Sequence, residues 1–161
     1  MNPLLRTLAA VASRIGFYGF DEIHLAALKP GQATAREIRE RLGAPAAEWP
    51  NSDGGATWEY SRVPAGTRCW MLTVDGGGVL QKIEQALTDE NFARIEKGWS
   101  AEQVRRLLGK PGGEAKFPLK PEVVWEWRIE PLGSGNNAWF RVHFGVDGYV
   151  TGTGRHEETL G

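Results

Sequence analysis

The chain is poor in cysteine, with Cys69 as the single example among its 161 residues. One cysteine excludes an internal disulfide bond and a metal site built from several thiolates. Cys69 lies in the apolar run Cys69-Trp70-Met71-Leu72, and no histidine or basic cluster is close to it in sequence. Because a reactive thiol needs an electropositive environment, we interpret Cys69 as an inert strand residue.

The chain also lacks an excess of charge of either sign and lacks a long hydrophobic run. Its 19 lysines and arginines oppose 20 aspartates and glutamates, which leaves a net charge of −1. This balance argues against nucleic acid as a partner, because nucleic-acid binding relies on a basic surface. No stretch approaches the ~18 apolar residues that a membrane-spanning helix requires. The length and the 41% apolar content instead predict one compact domain, or two small ones that share a core.

Residues 1–20 allow two interpretations. Residues 1–13 begin like a secretory leader, with one positive charge and the small residues Ala10-Val11-Ala12 near the end. The apolar stretch is short and Arg14 follows it at once, so the segment is also interpreted as a helix or a partly ordered arm. We therefore assign residues 1–20 to an N-terminal arm or a remnant leader.

What the chain does contain is an internal repeat, made of turns, helix caps and aromatic strands. The two copies are 67, 66 and 67 residues apart at three matched positions, which are Gly31 and Gly98, Gly43 and Gly109, and Trp58 and Trp125. An internal repeat determines the architecture before any other pattern does. Because the repeated parts are neither nucleophiles nor metal ligands, the duplication favours binding over catalysis.

Each copy predicts two short helices followed by three antiparallel strands. The second helix of each copy begins with a capping box, Thr34-Ala35-Arg36-Glu37 or Ser100-Ala101-Glu102-Gln103. We predict an α+β fold of two tandem α-α-β-β-β units, residues 21–84 and 85–155, before a flexible tail at residues 156–161. Since one unit buries little alone, we expect a shared core, with one curved antiparallel sheet and the helices packed on one face.

No group of residues in the sequence predicts an active site. The three histidines, His24, His143 and His156, are scattered along the chain. None has a partner at the spacing of metal ligands except in the weak run His156-Glu157-Glu158, which we interpret as solvated tail. The glycine-rich segments 76–78 and 110–113 lack the strand and helix context of a phosphate-binding loop, so we interpret them as turns. Glu59 and Glu126 repeat one position between aromatic residues, and we expect both carboxylates to face outward. We therefore predict a protein without enzymatic activity, metal or cofactor.

The aromatic residues are the remaining candidates, because seven tryptophans are many for so short a chain. Trp58 and Tyr60 match Trp125 and Trp127 in the second copy, and one interpretation is that these pairs form a duplicated core. The other is that the helices cover one face of the sheet, so that aromatic and arginine side chains line an open face and bind a protein. The residues that we predict for this binding surface are Tyr60, Arg68, Trp70, Trp127, Trp139 and Arg141.

The repeated motifs resemble the BamE/SmpA/OmlA family over roughly residues 21–155. In the first copy the resemblance rests on Leu28-Lys29-Pro30-Gly31, Leu42-Gly43-Ala44-Pro45, Trp58-Glu59-Tyr60 and Asp75-Gly76-Gly77-Gly78-Val79. In the second copy it rests on Lys97-Gly98, Leu108-Gly109-Lys110-Pro111, Trp125-Glu126-Trp127 and Val146-Asp147-Gly148-Tyr149-Val150. Members of this family are small outer-membrane lipoproteins that support the β-barrel assembly machinery, usually with one such unit. The tandem arrangement is similar to that of β-lactamase inhibitor protein.

The resemblance implies a non-enzymatic envelope protein that binds another protein, such as a barrel-assembly component, and supports outer-membrane protein assembly or envelope integrity. It places the protein in the periplasm or at the inner face of the outer membrane. Lipoprotein members carry a leader that ends at a lipidated cysteine, and Cys69 cannot serve because it lies within a predicted strand. We expect membrane association only if the native precursor has a lipidated leader.

Two other functions remain open from the sequence. The protein could use the same sheet to bind and block a hydrolase, as the likeness to β-lactamase inhibitor protein implies. It could instead bind a small ligand or a glycan that stacks on Trp70 and Trp139.

Overall fold

The computed structural model describes residues 20–159, apart from the side chain of Phe20. In this range the helices are α1 (Phe20–Ala27), α2 (Ala35–Leu42), α3 (Asp89–Arg94) and α4 (Ala101–Leu108). The strands are β1 (Ala47–Pro50), β2 (Ala56–Ser61), β3 (Cys69–Val74), β4 (Leu80–Gln85), β5 (Gly113–Phe117), β6 (Lys120–Ile129), β7 (Asn136–Phe144) and β8 (Val150–Thr159). The predicted N-terminal arm or leader lies outside the described residues, except for the backbone of Phe20.

The fold is α+β, with two tandem units that each place a pair of short helices before an antiparallel sheet. The predicted fold class is therefore confirmed. The strands pair in the order β1-β2-β3-β4 in the first sheet and β5-β6-β7-β8 in the second sheet. The backbone hydrogen bonds thus form two sheets of four strands, where the sequence predicted a single sheet made of two three-stranded meanders.

The strands that the sequence did not predict are β1 and β5, which each form one edge of a sheet. β1 has only four residues and ends at Pro50, and four of the five residues of β5 are exposed. Edge strands of this kind bury few side chains, so they carry little of the period-two apolar pattern by which a strand is recognised.

The last strand is longer than the sequence predicted. β8 pairs with β7 as far as Thr159, which lies opposite Asn136. The residues expected to form a flexible tail, 156–161, therefore belong to a strand as far as Thr159, and the prediction is corrected. Their polar character reflects the exposed edge of the sheet, where β7 still supplies backbone hydrogen-bond partners.

The two predicted capping boxes are confirmed. Thr34 Oγ1 accepts a hydrogen bond from Glu37 N at 3.3 Å, and Glu37 Oε2 accepts one from Thr34 N at 3.0 Å. Ser100 and Gln103 repeat both bonds, at 3.1 and 2.8 Å. Each pair satisfies two backbone donors that the first turn of a helix leaves free. None of the helices within residues 20–159 has the length and apolar character needed to cross a membrane.

Within residues 20–159, two apolar clusters form the core. The first lies between α1, α2 and one face of the first sheet, and it contains the fully buried Ile38 and Leu72. The second lies between α3, α4 and one face of the second sheet, and it contains the fully buried Trp127. Cys69 and Met71, from the opposite face of the first sheet, also belong to the second cluster. The helices of the second unit therefore pack against both sheets, and the two units share a core.

Each sheet has an inner face, which packs against the helices of its own unit, and an outer face on the opposite side. Tyr60 and Trp127 are equivalent residues on the two inner faces. Tyr60 Oη donates a hydrogen bond to Gly43 O at 2.9 Å, and Trp127 Nε1 donates one to Gly109 O at 3.2 Å. The strand registers extend this equivalence to four pairs on the outer faces: Glu59 with Glu126, Cys69 with Trp139, Met71 with Arg141, and Thr73 with His143.

Candidate protein-binding surface

The outer face of the first sheet is covered by the end of α4. Glu59 is fully buried there. Its Oε1 accepts a hydrogen bond from Lys110 N at 2.7 Å, and its Oε2 accepts one from Trp49 Nε1 at 3.4 Å. Burial, together with the nearby Glu59 carboxylate, raises the pKa of the Cys69 thiol to about 12. The thiol is therefore protonated at neutral pH and unreactive, as the sequence predicted.

The equivalent face of the second sheet is half-exposed. Arg141 keeps 38% of its side chain in solvent, and its Nε donates a hydrogen bond to Glu126 Oε2 at 3.1 Å. The half-buried Trp139 stacks on His156 with the ring centroids 6.0 Å apart. His143 lies on the same side of β7 with 36% of its side chain exposed. We call the surface formed by Glu126, Trp139, Arg141, His143 and His156 the open face.

The two histidines of the open face each lie beside a carboxylate. His143 Nδ1 is 3.4 Å from Glu122 Oε1, and His156 Nε2 is 3.4 Å from Glu158 Oε1. In the part of the chain that the structure describes, no three histidine, cysteine or acidic side chains converge as metal ligands would. Each histidine of the open face lies within ion-pair distance of one carboxylate.

The two outer faces carry different side chains at equivalent positions. Cys69 and Met71 are 0% and 5% exposed and pack in the shared core. Trp139 and Arg141 stand at the same positions in the second sheet. Tryptophan and arginine are enriched at protein–protein interfaces because each offers a large contact area together with hydrogen-bond donors. The second sheet thus presents an interface-like surface where the first sheet presents a core.

One margin of the open face consists of backbone rather than side chains. Gly152 and Gly154 lie on β8 opposite His143 and Arg141. A methyl group placed on either glycine would meet no atom within 4 Å. Glycine within a strand often marks a place where another backbone approaches closely. A bound segment can therefore reach the surface of β8 without displacing side chains.

Two of the predicted binding residues are core residues. Tyr60 is 3% exposed and Trp127 is 0% exposed, and both lie on inner faces. The last turns of α2 and α4 lie over them, with Gly43 and Gly109 accepting their side-chain hydrogen bonds. The prediction for these two residues is corrected in favour of the alternative interpretation, a duplicated core.

Two further predicted residues lie away from the open face. Trp70 corresponds in register to Phe140 rather than to Trp139, so it lies on the inner face of the first sheet, half-buried against the first cluster. The Arg68 guanidinium lies 5.8 Å from the centre of the Trp70 ring and 3.4 Å from Glu22. The six predicted residues therefore divide among three places, and only those on β7 share the open face.

Sequence reasoning missed Glu126, His143 and His156 as members of the open face. Alternate residues of a strand share a face, so Trp139 could have predicted His143. His156 could not be found once its segment was interpreted as a tail. Glu126 faces outward as expected, whereas Glu59 lies on the outer face but is buried because α4 covers it.

Comparisons with known proteins find similarity to solved structures. No family model matches the chain, and no curated protein matches it. A DUF4309 family protein (YjgB) of Bacillus subtilis is 12% identical over 83% of this chain and 82% of that chain, with a TM-score of 0.29. A "putative beta-lactamase inhibitor protein" of Streptococcus mutans is 12% identical over 85% of this chain and 95% of that chain, with a TM-score of 0.35. The chain is also similar to a protein described as "Putative Osmotically inducible lipoprotein OsmE", at 31% identity over 41% of this chain and 68% of that chain, with a TM-score of 0.36.

Proposed function

We propose that this protein is a non-enzymatic, protein-binding module of the cell envelope and that its partner docks on the open face. One observation carries the proposal, namely the contrast between two equivalent surfaces. At Cys69 and Met71 the outer face of the first sheet is buried beneath α4, whereas the second sheet leaves Trp139 and Arg141 only half-buried at the equivalent positions. The open face lies where the first sheet forms an interface within the molecule, and it carries residue types that are enriched at interfaces between proteins. It is therefore suited to binding a partner protein.

The side chains of the open face are ordered before a partner arrives. Trp139 stacks on His156, and Arg141 is hydrogen-bonded to Glu126. Binding therefore freezes few additional rotamers, which lowers the entropic cost of association. Trp70 lies on the other sheet and on an inner face, which weakens the alternative in which Trp70 and Trp139 stack on one glycan.

The envelope location rests on the resemblance of the repeated motifs to the BamE/SmpA/OmlA family. That resemblance also supports the finer proposal that the partner is a component of the barrel-assembly machinery. A hydrolase blocked in a stoichiometric complex is the alternative partner for the same face, and the identity of the captured protein distinguishes the two.

Capture of the partner tests the open face directly. We expect the tagged full-length protein to recover a specific protein from detergent-solubilised envelopes of its own host. Trp139→Ala and Arg141→Ala should each reduce that recovery by about tenfold or more, because truncating an aromatic or arginine anchor commonly costs ~2 kcal/mol or more. The measurement is quantitative mass spectrometry of the captured proteins, followed by the affinity of the purified pair.

Two exposed residues provide matched controls. Tyr149→Ala removes a half-exposed aromatic ring and Lys97→Ala removes an exposed cation, both outside the open face. Both control variants should recover the partner like the unmodified protein. If the Trp139 and Arg141 variants retained the partner at full strength, the open face would not be the binding surface.

A further inference from the structure

Within the molecule, the outer face of the first sheet already binds one element of structure, the end of α4. At the end of α4, a methyl group placed on Gly109 would lie 2.5 Å from Cys69 Sγ, so the helix end is in close contact with the first sheet. The next amide, Lys110 N, donates its hydrogen bond to the buried Glu59 at 2.7 Å. An outer face of this fold therefore binds a helix end through a glycine and the amide that follows it.

The end of α2 has the same shape, but no part of residues 20–159 covers it. Gly43 has φ 78° and ψ −165°, and Gly109 has φ 82° and ψ −175°. Each glycine carbonyl accepts a side-chain hydrogen bond from an equivalent aromatic residue of its own unit. A methyl group placed on Gly43 would nevertheless meet no atom within 4 Å, and both Gly43 and Ala44 are exposed. Among the described residues, 20–159, the end of α2 and the outer face of the second sheet are thus both left uncovered.

We infer that the partner of the open face is a second copy of this chain, which docks the end of its α2 helix there. This inference rests on the proposed function, and for the same surface it names a second copy of the chain as the occupant in place of a barrel-assembly component or a hydrolase. The contact repeats between molecules the interface that α4 and the first sheet form within one molecule. Because the two surfaces are different, the association is head-to-tail and each added molecule offers a new free face.

Charge complementarity favours this occupant. Within the molecule, Arg106 of α4 and Met71 of the first sheet line one groove of about 540 Å³. The equivalent position on α2 is Glu40, and the equivalent position on the second sheet is Arg141. Arg106 donates a hydrogen bond to Pro50 O at 2.7 Å, so its guanidinium is bound to β1 and not to Met71. Glu40 keeps 59% of its side chain exposed and lies 2.8 Å from Arg36 of its own helix. A contact built like the internal one therefore brings a glutamate and an arginine to the same groove, where the internal contact has an arginine and a methionine.

The intermolecular contact is shallower than the internal one. Trp139 stands where Cys69 receives Gly109, so Gly43 of the second copy rests on an indole ring instead of against a thiol. The Ala44 amide takes the role of the Lys110 amide. The chain also links the two surfaces of the internal contact, so their effective concentration is far higher than that of surfaces on separate molecules. The head-to-tail association is accordingly weak and depends on protein concentration.

Sedimentation velocity over a wide concentration range tests this inference on the full chain. We expect reversible growth beyond a dimer with increasing concentration. Glu40→Arg and Arg141→Glu should each weaken association by about tenfold or more, because each places like charges together in the contact. An equimolar mixture of the two variants should associate again, since the arginine introduced at position 40 meets the glutamate introduced at position 141. The double variant E40R/R141E should also associate.

Two variants control for charge alone. Glu102→Arg and Lys97→Glu make the same charge changes at exposed positions outside both surfaces and should leave association unchanged. Circular dichroism of each variant verifies that the fold is retained. Restoration by mixing cannot result from misfolding of the single variants, so it distinguishes a specific contact from a general loss of structure.

Three results would overturn the inference, and they separate it from the proposed function. A protein that stays monomeric at every concentration, a closed two-fold dimer, or association that ignores both charge reversals would each exclude the head-to-tail contact. If the protein is monomeric but Trp139→Ala still abolishes capture of an envelope protein, the proposed function stands and only its self-association fails. If neither association nor capture depends on the open face, both proposals fail.

Discussion

Glu59 and Glu126 are the same residue at equivalent positions, yet one is fully buried and the other keeps 34% of its side chain exposed. The local sequence places both on a strand face opposite the aromatic residues, and this part could be predicted from alternation alone. The cover over Glu59 comes from Lys110, 51 residues away in the chain. Burial of Glu59 therefore depends on how the units pack, which neighbouring residues do not encode.

We predict that truncation of Glu59 and truncation of Glu126 lower the free energy of unfolding by very different amounts. Glu59→Ala should lower the free energy of unfolding by about 2–4 kcal/mol, because it removes the acceptor of the Lys110 amide and opens a cavity at a fully buried position. Glu126→Ala should cost about 0–1 kcal/mol, since its ion pair with Arg141 is half-exposed and solvent replaces it. Urea denaturation of both variants measures the difference. Equal costs would show that Glu59 is not held in the buried contact described above.

The tyrosine and tryptophan that share an inner-face position illustrate the same limit. The repeat identified Tyr60 and Trp127 as equivalent, and it left open whether they form a core or a surface. Their hydrogen bonds to Gly43 and Gly109 show that each helix ends directly over its aromatic residue. A sequence pattern reports that a residue recurs, while the packing of helix ends decides whether it is covered.

At the scale of elements, the starts of α2 and α4 were predicted and the edge strands were not. The capping boxes and the glycines that terminate α2 and α4 are short-range signals, since all their hydrogen-bond partners lie within a few residues. β1 and β5 depend on pairing with a neighbouring strand and bury few side chains of their own. Local chemistry therefore predicts where a helix begins more reliably than where an edge strand joins a sheet.

We predict that alanine substitution destabilises the protein at both Gly43 and Gly109, the glycines that end α2 and α4, and that the loss is larger at Gly109. Both adopt a positive φ with extended ψ, a conformation nearly confined to glycine, so Gly43→Ala should cost about 1–3 kcal/mol from backbone strain alone. Gly109→Ala carries the same strain, and its methyl group also overlaps Cys69 Sγ at 2.5 Å. We expect it to cost about 1–3 kcal/mol more than Gly43→Ala.

Thermal and urea denaturation of the two alanine variants measure this difference. The pair isolates the steric overlap because the strain is common to both positions. If Gly43→Ala were as costly as Gly109→Ala, the end of α2 would be in a close contact that the monomer does not show, as head-to-tail association would produce at high concentration. The measurement should therefore be made at low protein concentration and repeated at high concentration.

At the scale of the whole molecule, the repeat predicted two units and a shared core, and it did not reveal how they are joined. The strand pairing keeps the sheets separate, and the connection runs through α4, which packs on its own sheet and on the outer face of the first. We propose that residues 21–84 and 85–155, extended by the rest of β8, are structural units but not independent folding units. An isolated first unit would expose Glu59, Cys69 and Met71 to water.

This arrangement predicts a single cooperative unfolding transition for the full chain. Loss of the second unit uncovers the outer face of the first sheet, so partial unfolding is unfavourable. Tryptophan fluorescence and far-ultraviolet circular dichroism should give coincident urea transitions. Two separated transitions would contradict the shared core, and so would a first unit that remains folded and monomeric when expressed alone.

The succession of first sheet, helix pair and second sheet has a direction, and within residues 20–159 no helix pair covers the outer face of the second sheet. In repeat proteins, a face that no neighbouring unit covers needs polar groups to remain soluble. Arg141, paired with Glu126, supplies such groups where the first sheet has the buried Met71. Changing Trp139 to cysteine and Arg141 to methionine would therefore give the second sheet a face that, like that of the first sheet, needs a helix pair to bury it.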